Sequence, residues 1–570
     1  MTQRLISFNF WLLLPVFFFT SVINNSFCRT KEPVKAAHGM VVSANGIATN
    51  VGVEILEKGG NAVDAAVAVG FALSVTYPAA GNIGGGGFMV IHLKNGKDVT
   101  IDYREKAPIK AFRNMFINRS GQFDPALSQK GTTSAGVPGS VAGMIYALQK
   151  YGTMKLAEVI QPAINLAEKG FILDRYTANS FKENLKYFKE YPASFKKFTN
   201  NGHPYKQGEI FKQPELAKTL EAIKENGRDG FYKGWVADLF LKKIKKLGGY
   251  ITQEDMDKYN PVEREPVTGI YRGYKIVSMP PPSSGGIALI ELLNILENYH
   301  FKPEEWGSGD YIHELVEAMK YVYADRTAYL GDPDFVKVPE KELLSKKYAG
   351  YIFNKITDKA TPASEIKADG LSQYHESNET THYSVYDSSG NAVSTTTTIN
   401  SSYGSKIVVD GAGFLLNNEM DDFSAKPGVP NQFGLYGSEA NSIQPQKRML
   451  SSMTPTIVLK NGKPYIIIGS PGGSTIITVV LQVIINCIDF NMNIQQAIDM
   501  PRIHNQWLPD RIDFEKNALS ENVKNNLVKM GYKIGEMRTL GMAEGILIDS
   551  ANHLIYGASD PRGNGTAAGY

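Results

Sequence analysis

A helix that is apolar on nearly every side sets the strongest limit on how this chain can fold. Asn61 has the side chain of a good helix N-cap, and seven of the eight residues that follow it, 62–69, are Ala or Val. A surface helix buries one apolar stripe, whereas a helix that is apolar all round has to be enclosed by other elements. The sequence therefore predicts a core deep enough to surround a whole helix.

Length and composition agree with a core of that size. The chain has 570 residues, of which 43% are hydrophobic and 21% are charged, which excludes disordered, collagen-like and coiled-coil chains. At about 150 residues per domain this length would suggest three or four domains. Because the sequence shows no internal repeat and no flexible interdomain linker, we predict one large mixed domain instead.

Charge, cysteine content and histidine spacing exclude several classes of function. The net charge of +3 gives no strong positive field that would attract nucleic acid. Two cysteines are too few for a disulfide-dense scaffold or a multi-cysteine metal site. The nine histidines show no His-Glu-x-x-His spacing, so a catalytic zinc is not predicted. We expect His382 to be a hydrogen-bonded strand residue and not a metal ligand.

The N-terminus has the features of a secretory signal peptide. A basic start at Arg4 precedes an apolar stretch over 8–23, which is short for the roughly 20 residues of a membrane span. Small residues near Cys28 fit a cleavage site, so we predict a signal peptide over 1–28, with an uncleaved anchor as the alternative. A lipoprotein is disfavoured because the bulky Phe27 precedes Cys28. The mature protein would then be periplasmic or secreted and would contain no internal disulfide.

Hydrophobic periodicity and turn residues divide the chain into a more helical and a more strand-rich part. We predict helices at 47–58, after Asn61, over most of 140–260, at 287–298 and at 311–329. Strands are predicted at 88–93, 99–103, 381–386, 392–399, 454–459, 465–469, 545–548 and 553–556, with a helix after 471–473. A polar loop over 355–379 separates the two parts. Helices first and strands later, with buried helices as cover, indicate an α+β fold.

Common nucleotide-binding and hydrolase motifs do not fit. The glycine run Gly84–Gly87 precedes a strand, and no Gly-Lys-Ser or Gly-Lys-Thr follows it, so it matches neither a P-loop nor a dinucleotide fingerprint. We interpret the run as a tight backbone crossing, which glycine allows. The chain contains no Gly-x-Ser-x-Gly nucleophile elbow.

A threonine between the polar loop and a strand is the first candidate for catalysis. If the chain were cut before Thr380, its hydroxyl would lie beside a new α-amine with a pKa near ~8, which can act as a base at neutral pH. Thr paired with its own N-terminal amine is a known activated nucleophile. Taken alone the signal is weak, because Thr before a strand is common for its β-propensity.

Several later segments could complete a site around this threonine. Thr398 and Asn400 would share one face of the next strand by alternation. Acids and amides are concentrated in 417–422, where carboxylates could bind a substrate ammonium group. Backbone amides at Gly472 and Gly473, which open a helix, suit an oxyanion. Each feature could also be a turn, a cap or a solvated face, but together they predict amide cleavage beside an amino-acid head group.

These segments resemble one family over nearly all of the mature chain. The resemblance rests on GGNAVDAAVAVG at 59–70, GNIGGGGFMV at 81–90, DYREKAP at 102–108, MPPPSSGG at 279–286, TTHYSVYD at 380–387, LLNNEMDDFSAKPGVPN at 415–431, LSSMTPTIV at 450–458 and GSPGGS at 469–474. The chain is similar to bacterial gamma-glutamyltranspeptidases of the N-terminal-nucleophile hydrolase superfamily. This implies a four-layer αββα fold and a precursor that cleaves itself between Glu379 and Thr380. The large subunit would be 29–379 and the small, catalytic subunit 380–570, which stay together as a heterodimer.

The resemblance also implies a ping-pong mechanism and a role for each site residue. Thr380 would attack the γ-amide of glutathione or a similar compound, with the glutamyl group passing to water, an amino acid or a dipeptide. By the same resemblance, Thr398 would hydrogen-bond the nucleophile, and Gly472 and Gly473 would form the oxyanion site. The ligands of the substrate α-carboxylate would be Arg104, Ser451 and Ser452. The ligands of its α-ammonium group would be Asn400, Glu419 and Asp422. No metal or cofactor is implied.

The predicted lid differs from the family pattern. Many bacterial members place a Tyr where this chain has Phe433, within the lid segment 427–437. Phe cannot donate the hydroxyl hydrogen bond, and Tyr436 is the candidate to replace it.

Two other functions stay open at this point. The first is a related amidohydrolase of the beta-lactam (cephalosporin) acylase type, against which Arg104 together with Asn400, Glu419 and Asp422 argues. The second is an uncut, inactive homologue that acts as an exported binding protein, and it would give one band on a gel where an active member gives two.

Overall fold

A computed structural model of the chain describes residues 31–366, 380–426, 429, 431, 432, 435 and 437–570. The predicted signal peptide and three further predicted residues, Glu379, Phe433 and Tyr436, lie outside the described residues. Residues Glu32–Tyr570 form one compact unit, as expected for a single large domain. No helix within the described ranges is long and apolar enough to cross a membrane.

Two seven-stranded antiparallel sheets form the centre of the fold. Sheet 1 consists, in spatial order, of Val34–Ala36, Leu554–Ser559, Glu544–Asp549, Lys463–Gly469, Thr456–Lys460, Tyr274–Ser278 and Val267–Tyr271. Sheet 2 consists of Thr566–Gly569, Met40–Ser43, Thr381–Tyr386, Ala392–Thr398, Gly86–His92, Asp98–Asp102 and Val262–Arg264. In both sheets, strands that precede residue 380 are hydrogen-bonded to strands that follow it. A cut before residue 380 would therefore leave the two parts joined by sheet hydrogen bonds.

Helices cover the outer face of each sheet. The helices whose apolar side chains pack with sheet 2 are Gly46–Glu57, Ala62–Thr76, Ser140–Tyr151, Leu156–Lys169, Arg175–Phe188, Pro192–Lys197, Pro214–Asn226, Asp229–Tyr232, Gly234–Lys246 and Gln253–Lys258. Those that pack with sheet 1 are Gly285–Leu296, Gly309–Tyr329, Glu340–Leu343, Lys346–Phe353, Thr475–Ile488, Ile494–Asp499 and Glu521–Met530. The short helix Pro125–Gln129 lies near a third, smaller apolar cluster.

Three smaller pairings and four 3₁₀ turns complete the described elements. The pairings join Phe171–Ile172 to Ile210–Phe211, Thr199–Asn200 to His203–Pro204, and Ile503–His504 to Ile512–Phe514 and on to Ile534–Met537. The 3₁₀ turns are Pro303–Glu305, Ala363–Glu365, Glu419–Asp422 and Glu439–Asn441.

Side-chain alternation in sheet 2 shows how the layers stack. In the strand Met40–Ser43, Val41 belongs to the core under the first group of helices, whereas Met40 and Val42 belong to the core shared with sheet 1. Neighbouring side chains of a strand point to opposite faces, so sheet 2 lies between helices and sheet 1. The predicted four-layer αββα architecture is confirmed.

The apolar helix that follows Asn61 is enclosed by other elements, as its sequence requires. All fifteen residues of Ala62–Thr76 are buried. Its N-terminus is closed by a capping box, because the Asn61 side chain accepts from the backbone of Asp64 while the Asp64 carboxylate accepts from the backbone of Asn61. The N-cap and the complete burial were both predicted from sequence.

The predicted order of helices first and strands later is wrong in one respect. Both sheets contain strands from before residue 380 that the sequence pattern did not reveal, among them Val267–Tyr271 and Tyr274–Ser278. These two strands are joined by Arg272 and Gly273, both with positive φ, at 50° and 84°. The geometry suits a hairpin, but Arg-Gly is not one of the usual hairpin turn pairs. The turn was therefore missed.

Candidate active site

Strand pairing holds Thr380 opposite Thr398. Thr381 pairs with Thr397 in the antiparallel register, so Thr380 lies across from Thr398 at the ends of two central strands of sheet 2. Thr398 pairs on its other side with Gly86. Thr380 is buried at 6% exposure. The position of the predicted nucleophile is thus set by backbone hydrogen bonds of the sheet.

The glycine run Gly84–Gly87 allows two backbone segments to pass very close to each other beside Thr398, because no side chain lies between them. A Cβ at Gly85 would lie 2.1 Å from the carbonyl oxygen of Thr398, and one at Gly84 would lie 2.1 Å from the carbonyl oxygen of Leu415. Asn82 joins both segments, because it accepts from the Gly85 backbone N–H at 2.9 Å and donates to the Thr398 carbonyl at 3.0 Å. The run is a tight backbone crossing, as predicted.

A single cavity brings together residues that are far apart in the sequence, from Arg104 to Ile476. Nine of the site residues predicted from the sequence line this cavity: Arg104, Thr380, Thr398, Asn400, Glu419, Asp422, Ser451, Ser452 and Gly473. About 530 Å³ of space in the cavity and at its opening to solvent is free of protein atoms. The predicted lid segment also borders it through Val429, Asn431 and Leu435. The sequence-predicted residues that the structure describes therefore do converge.

Arg104 lies at the centre of a buried charge cluster. Its two terminal nitrogens donate to the carboxylates of Glu419 and Asp422, and its guanidinium also donates to the carbonyls of Met449 and Leu450, both at 3.3 Å. Burial by itself would lower the pKa of Arg104, but the neighbouring carboxylates outweigh burial and hold this pKa above its usual range. The predicted carboxylate ligand and two predicted ammonium ligands are thus ion-paired with each other.

Burial raises the pKa values of the acidic side chains in this cluster. Burial raises the pKa of Glu419 well above its usual range, against the lowering effect of Arg104. Glu105, whose carboxylate lies 3.7 Å from Arg104, is also fully buried, and burial raises its pKa to about 7. A zwitterionic ligand could replace these internal pairs by placing its carboxylate on Arg104 and its ammonium among the acids.

Asn400 reaches the cavity in a way that strand alternation does not describe. The strand ends at Thr398, and Asn400 has a left-handed φ of 74°. Its backbone N–H donates to Thr398 Oγ1 at 2.8 Å, and its side-chain Nδ2 donates to the Asn418 carbonyl at 2.9 Å. The predicted shared strand face is therefore wrong, because a turn brings Asn400 to the cavity. Its amide oxygen is the group suited to accept from an ammonium.

The glycine pair of the predicted oxyanion site opens the helix Thr475–Ile488. Gly472 and Gly473 have φ of 136° and 55°, a region that favours glycine. A Cβ at Gly472 would lie 2.4 Å from Thr475 Oγ1, and that hydroxyl donates to the Gly472 carbonyl at 2.7 Å. Gly473 lines the cavity, and Gly472 directly precedes it.

His382 occupies a structural position on the nucleophile strand. It is fully buried, and its ring nitrogens lie 2.9 Å from Thr396 Oγ1 and 3.0 Å from Ser384 Oγ. Burial lowers its pKa to about 3. The histidine is therefore neutral and hydrogen-bonded in the strand, as expected.

Two charged residues, one lining the cavity and one buried beside Arg104, were not predicted from the sequence. Glu105 directly follows Arg104 in the sequence, and this adjacency is the sequence feature that could have indicated its place beside the site. Arg326 comes from the long helix Gly309–Tyr329 and lines the cavity, where it donates to Ser452 Oγ at 3.0 Å. No spacing in the sequence marks that arginine among the other charges of its helix.

Comparison with known proteins gives one consistent family. The gamma-glutamyltranspeptidase family model matches residues 48–570. The glutathione hydrolase proenzyme of Escherichia coli (strain K12) is 51% identical over 542 residues, which cover 95% of this chain and 93% of that protein.

Two solved structures are also similar. The gamma-glutamyltranspeptidase of Helicobacter pylori is 50% identical with a TM-score of 0.57, covering 60% of this chain and 99% of that chain. The cephalosporin acylase of Bacillus halodurans is 28% identical with a TM-score of 0.83, covering 95% of this chain and 97% of that chain.

Proposed function

The chain belongs to the gamma-glutamyltranspeptidase family, and from this premise we propose that it cleaves and transfers the γ-glutamyl group of glutathione and related γ-glutamyl amides. One observation carries the proposal: a single cavity joins a buried threonine at a strand end to a buried arginine flanked by two carboxylates. The threonine supplies an acyl acceptor, and the charge cluster matches the α-carboxylate and α-ammonium groups of a glutamyl donor.

Maturation would begin with cleavage of the chain by its own threonine. The Thr380 hydroxyl attacks the carbonyl carbon of Glu379, the peptide nitrogen leaves as the new α-amine of Thr380, and water hydrolyses the resulting ester. The products are 29–379 and 380–570. The shared sheets support this proposal because they hold both parts together after the cut. The matched H. pylori chain supports it too, since it covers roughly the share of this chain that 29–379 represents.

In the mature enzyme the Thr380 α-amine would take the hydroxyl proton as Oγ attacks the γ-carbonyl carbon of the donor. The tetrahedral oxyanion would be held by the backbone amides of Gly472 and Gly473, and Thr398 would hydrogen-bond the nucleophile. The amine then returns the proton to the leaving nitrogen, which leaves a glutamyl ester on Thr380. Water or the amine of an amino acid or dipeptide attacks this ester and releases the product.

Donor recognition would proceed by exchange of ion pairs in the cluster. The donor α-carboxylate would bind Arg104 with the hydroxyls of Ser451 and Ser452, and the α-ammonium would bind Glu419, Asp422 and the Asn400 amide oxygen. The bidentate shape of a guanidinium suits a carboxylate. An acylase substrate without an amino-acid zwitterion has no charges to exchange with these internal ion pairs and would gain nothing from the cluster, which disfavours the acylase alternative despite the similar fold.

The cellular setting follows from the N-terminal sequence. We propose that the precursor is exported, loses 1–28 and acts in the periplasm or the medium as a heterodimer of its own two subunits. Its small-molecule partners would be γ-glutamyl donors and amino-acid or dipeptide acceptors.

The test combines chain analysis with substrate choice. The intact mass and N-terminal sequences of the purified mature protein should give two chains, the smaller beginning Thr380-Thr381-His382. The same sample should release glutamate from glutathione and should not deacylate a cephalosporin side chain. Two chains with the reverse substrate preference would indicate an acylase. A single full-length chain without turnover would instead favour the binding-protein alternative.

A further inference from the structure

Arg326 is a buried cation at the cavity with two hydroxyl partners. It lies near the C-terminal end of the helix Gly309–Tyr329 and is 4% exposed. Its Nη2 donates to Ser452 Oγ at 3.0 Å, and its Nε donates to Ser284 Oγ at 3.0 Å. A guanidinium can only donate hydrogen bonds, so both hydroxyl oxygens act as acceptors toward Arg326.

This polarity determines what the two cavity serines can offer a ligand. Ser452 Oγ accepts from Arg326, and Ser451 Oγ accepts from the Met453 backbone N–H at 3.1 Å. Among the residues that the structure describes, none accepts the hydroxyl proton of either serine. Both hydroxyls are therefore arranged as donors toward the cavity, which is the arrangement that a carboxylate requires.

Ser284 links Arg326 to the backbone of Ser451 by hydrogen bonds. The Ser284 hydroxyl accepts from Arg326 and donates to the Ser451 carbonyl at 2.7 Å, and the Ser284 backbone N–H donates to that carbonyl at 2.8 Å. In return, the Ser451 backbone N–H donates to the Pro282 carbonyl at 2.9 Å. The segment 279–286, to which the sequence assigned no role, thus clamps the two cavity serines and is itself held by Arg326.

The same helix supports the opposite side of the site through a different residue. Tyr323 lies one turn before Arg326, and its hydroxyl donates to the Ser474 carbonyl at 2.5 Å, directly after the glycine pair. Residues three apart share a helix face, so one face of this helix contacts both halves of the site. Tyr323 contacts the oxyanion half, and Arg326 contacts the carboxylate half.

We propose that Arg326 is a positioning residue for the α-carboxylate of the donor substrate. It orients the hydroxyl of Ser452 directly, and by way of Ser284 it holds the backbone of Ser451, so that both serines face the ligand. The inference rests on the proposed function, because it assumes that the donor carries an α-carboxylate at this end of the cavity. The proposal adds Arg326 and the segment 279–286 to the groups that recognise the donor, and it leaves the chemical step unchanged.

The test compares two donors that differ only in the α-carboxylate. These are the γ-glutamyl anilide and the 4-aminobutyryl anilide, in which hydrogen replaces that carboxylate. For Arg326→Gln we expect KM for the γ-glutamyl donor to rise about ten-fold, the scale of one lost charge-assisted hydrogen bond, with kcat nearly unchanged. KM for the 4-aminobutyryl donor should not change, so the preference between the donors shrinks.

Conservative and coupled variants separate positioning from structural damage. Arg326→Lys keeps one cationic donor and should restore part of the lost donor preference. In the Ser452→Ala background, Arg326→Gln should add much less to KM than it does alone, because its partner is already absent. The matched control is Arg272→Gln, since Arg272 donates to the carbonyls of Glu297 and Tyr299 beyond the cavity. It should affect both donors equally.

Each outcome decides the proposal. Equal losses for both donors, or full additivity with Ser452→Ala, would overturn the positioning role. If Arg326→Gln does not yield two folded chains, Ser284→Ala removes the Arg326 contact that leads to Ser451 and should shift donor preference in the same direction. Wild-type protein that stays uncut and turns over neither donor would refute the proposed function itself, which is a different result from a change confined to the variants.

Discussion

The two ends of the cavity are built by different physical means. At the nucleophile end, Thr380 and Thr398 are placed by strand register, and the glycine run permits close passage of the backbone. At the recognition end, Arg104 is placed by side-chain contacts with Glu419 and Asp422. Backbone pairing fixes one end, and compensation of buried charge fixes the other. Substitutions should therefore separate the two ends.

The largest effect is expected at the nucleophile. Thr380→Ala removes the hydroxyl that would attack both the chain and the donor, so the protein should stay a single chain without activity. Intact mass and an assay of glutamate release check this result. The matched control is Thr381→Val, because the Thr381 hydroxyl is buried with no hydrogen-bond partner among the described residues. That variant should be cut normally, and a cut Thr380→Ala protein would refute the assignment.

A large but selective effect is expected at the recognition end. Arg104→Lys keeps one positive charge but cannot bridge two carboxylates and two backbone carbonyls, so KM for a γ-glutamyl donor should rise roughly 100-fold, about 2.7 kcal/mol. Cleavage into two chains should proceed because strand register is unchanged. Steady-state kinetics and a denaturing gel measure both results. Arg228→Lys, which affects carbonyl contacts outside the cavity, should leave KM unchanged.

The converse test disturbs the backbone crossing without touching the charge cluster. In Gly85→Ala the new Cβ would meet the Thr398 carbonyl oxygen at 2.1 Å, so strand and crossing must move apart. We expect a loss of about 3 kcal/mol in the free energy of unfolding, with kcat reduced more than KM. Denaturant titration and kinetics test this together.

The control for that variant is a glycine with free space around it. Gly350→Ala, in the helix Lys346–Phe353, places its Cβ with no atom within 4 Å and should stabilise by up to about 1 kcal/mol. Equal behaviour of Gly85→Ala and Gly350→Ala would mean that the crossing is not tight.

The effect that is smallest near neutral pH concerns the acid stability of the nucleophile strand. Burial lowers the pKa of His382 to about 3, whereas unfolded His takes up its proton near the model-peptide value of ~6.5. Between these values the unfolded state binds more protons, so stability falls as pH falls from about 6.5 to 3.

In His382→Gln this contribution is absent. Below pH ~6.5 the free energy of unfolding of this variant should therefore depend less steeply on pH than that of the wild type. The two slopes should differ by about 1.4 kcal/mol per pH unit. Denaturant titrations at several pH values measure the slope. An unchanged slope in His382→Gln would contradict the buried, neutral assignment.

Sequence patterns predicted the elements that carry strong local signals. The helix Ala62–Thr76 followed from its cap and its apolar surface, and the strand Thr381–Tyr386 was predicted with its observed bounds. The hairpin around Arg272 was missed because its turn uses an uncommon residue pair. Asn400 was expected to share a strand face with Thr398, but the strand ends before it, since periodicity does not reveal where the backbone turns left-handed.

The sequence by itself determined which chemical groups the chain possesses and which of them lie at strand or helix ends, because caps, apolar periodicity and glycine runs are local properties. Only the tertiary structure decided that Arg104 is paired with Glu419 and Asp422, and that Arg326 meets Ser452 from a distant helix. Contacts between segments more than a hundred residues apart depend on how the layers pack. A buried charge finds its partner through that packing, and no local pattern encodes it.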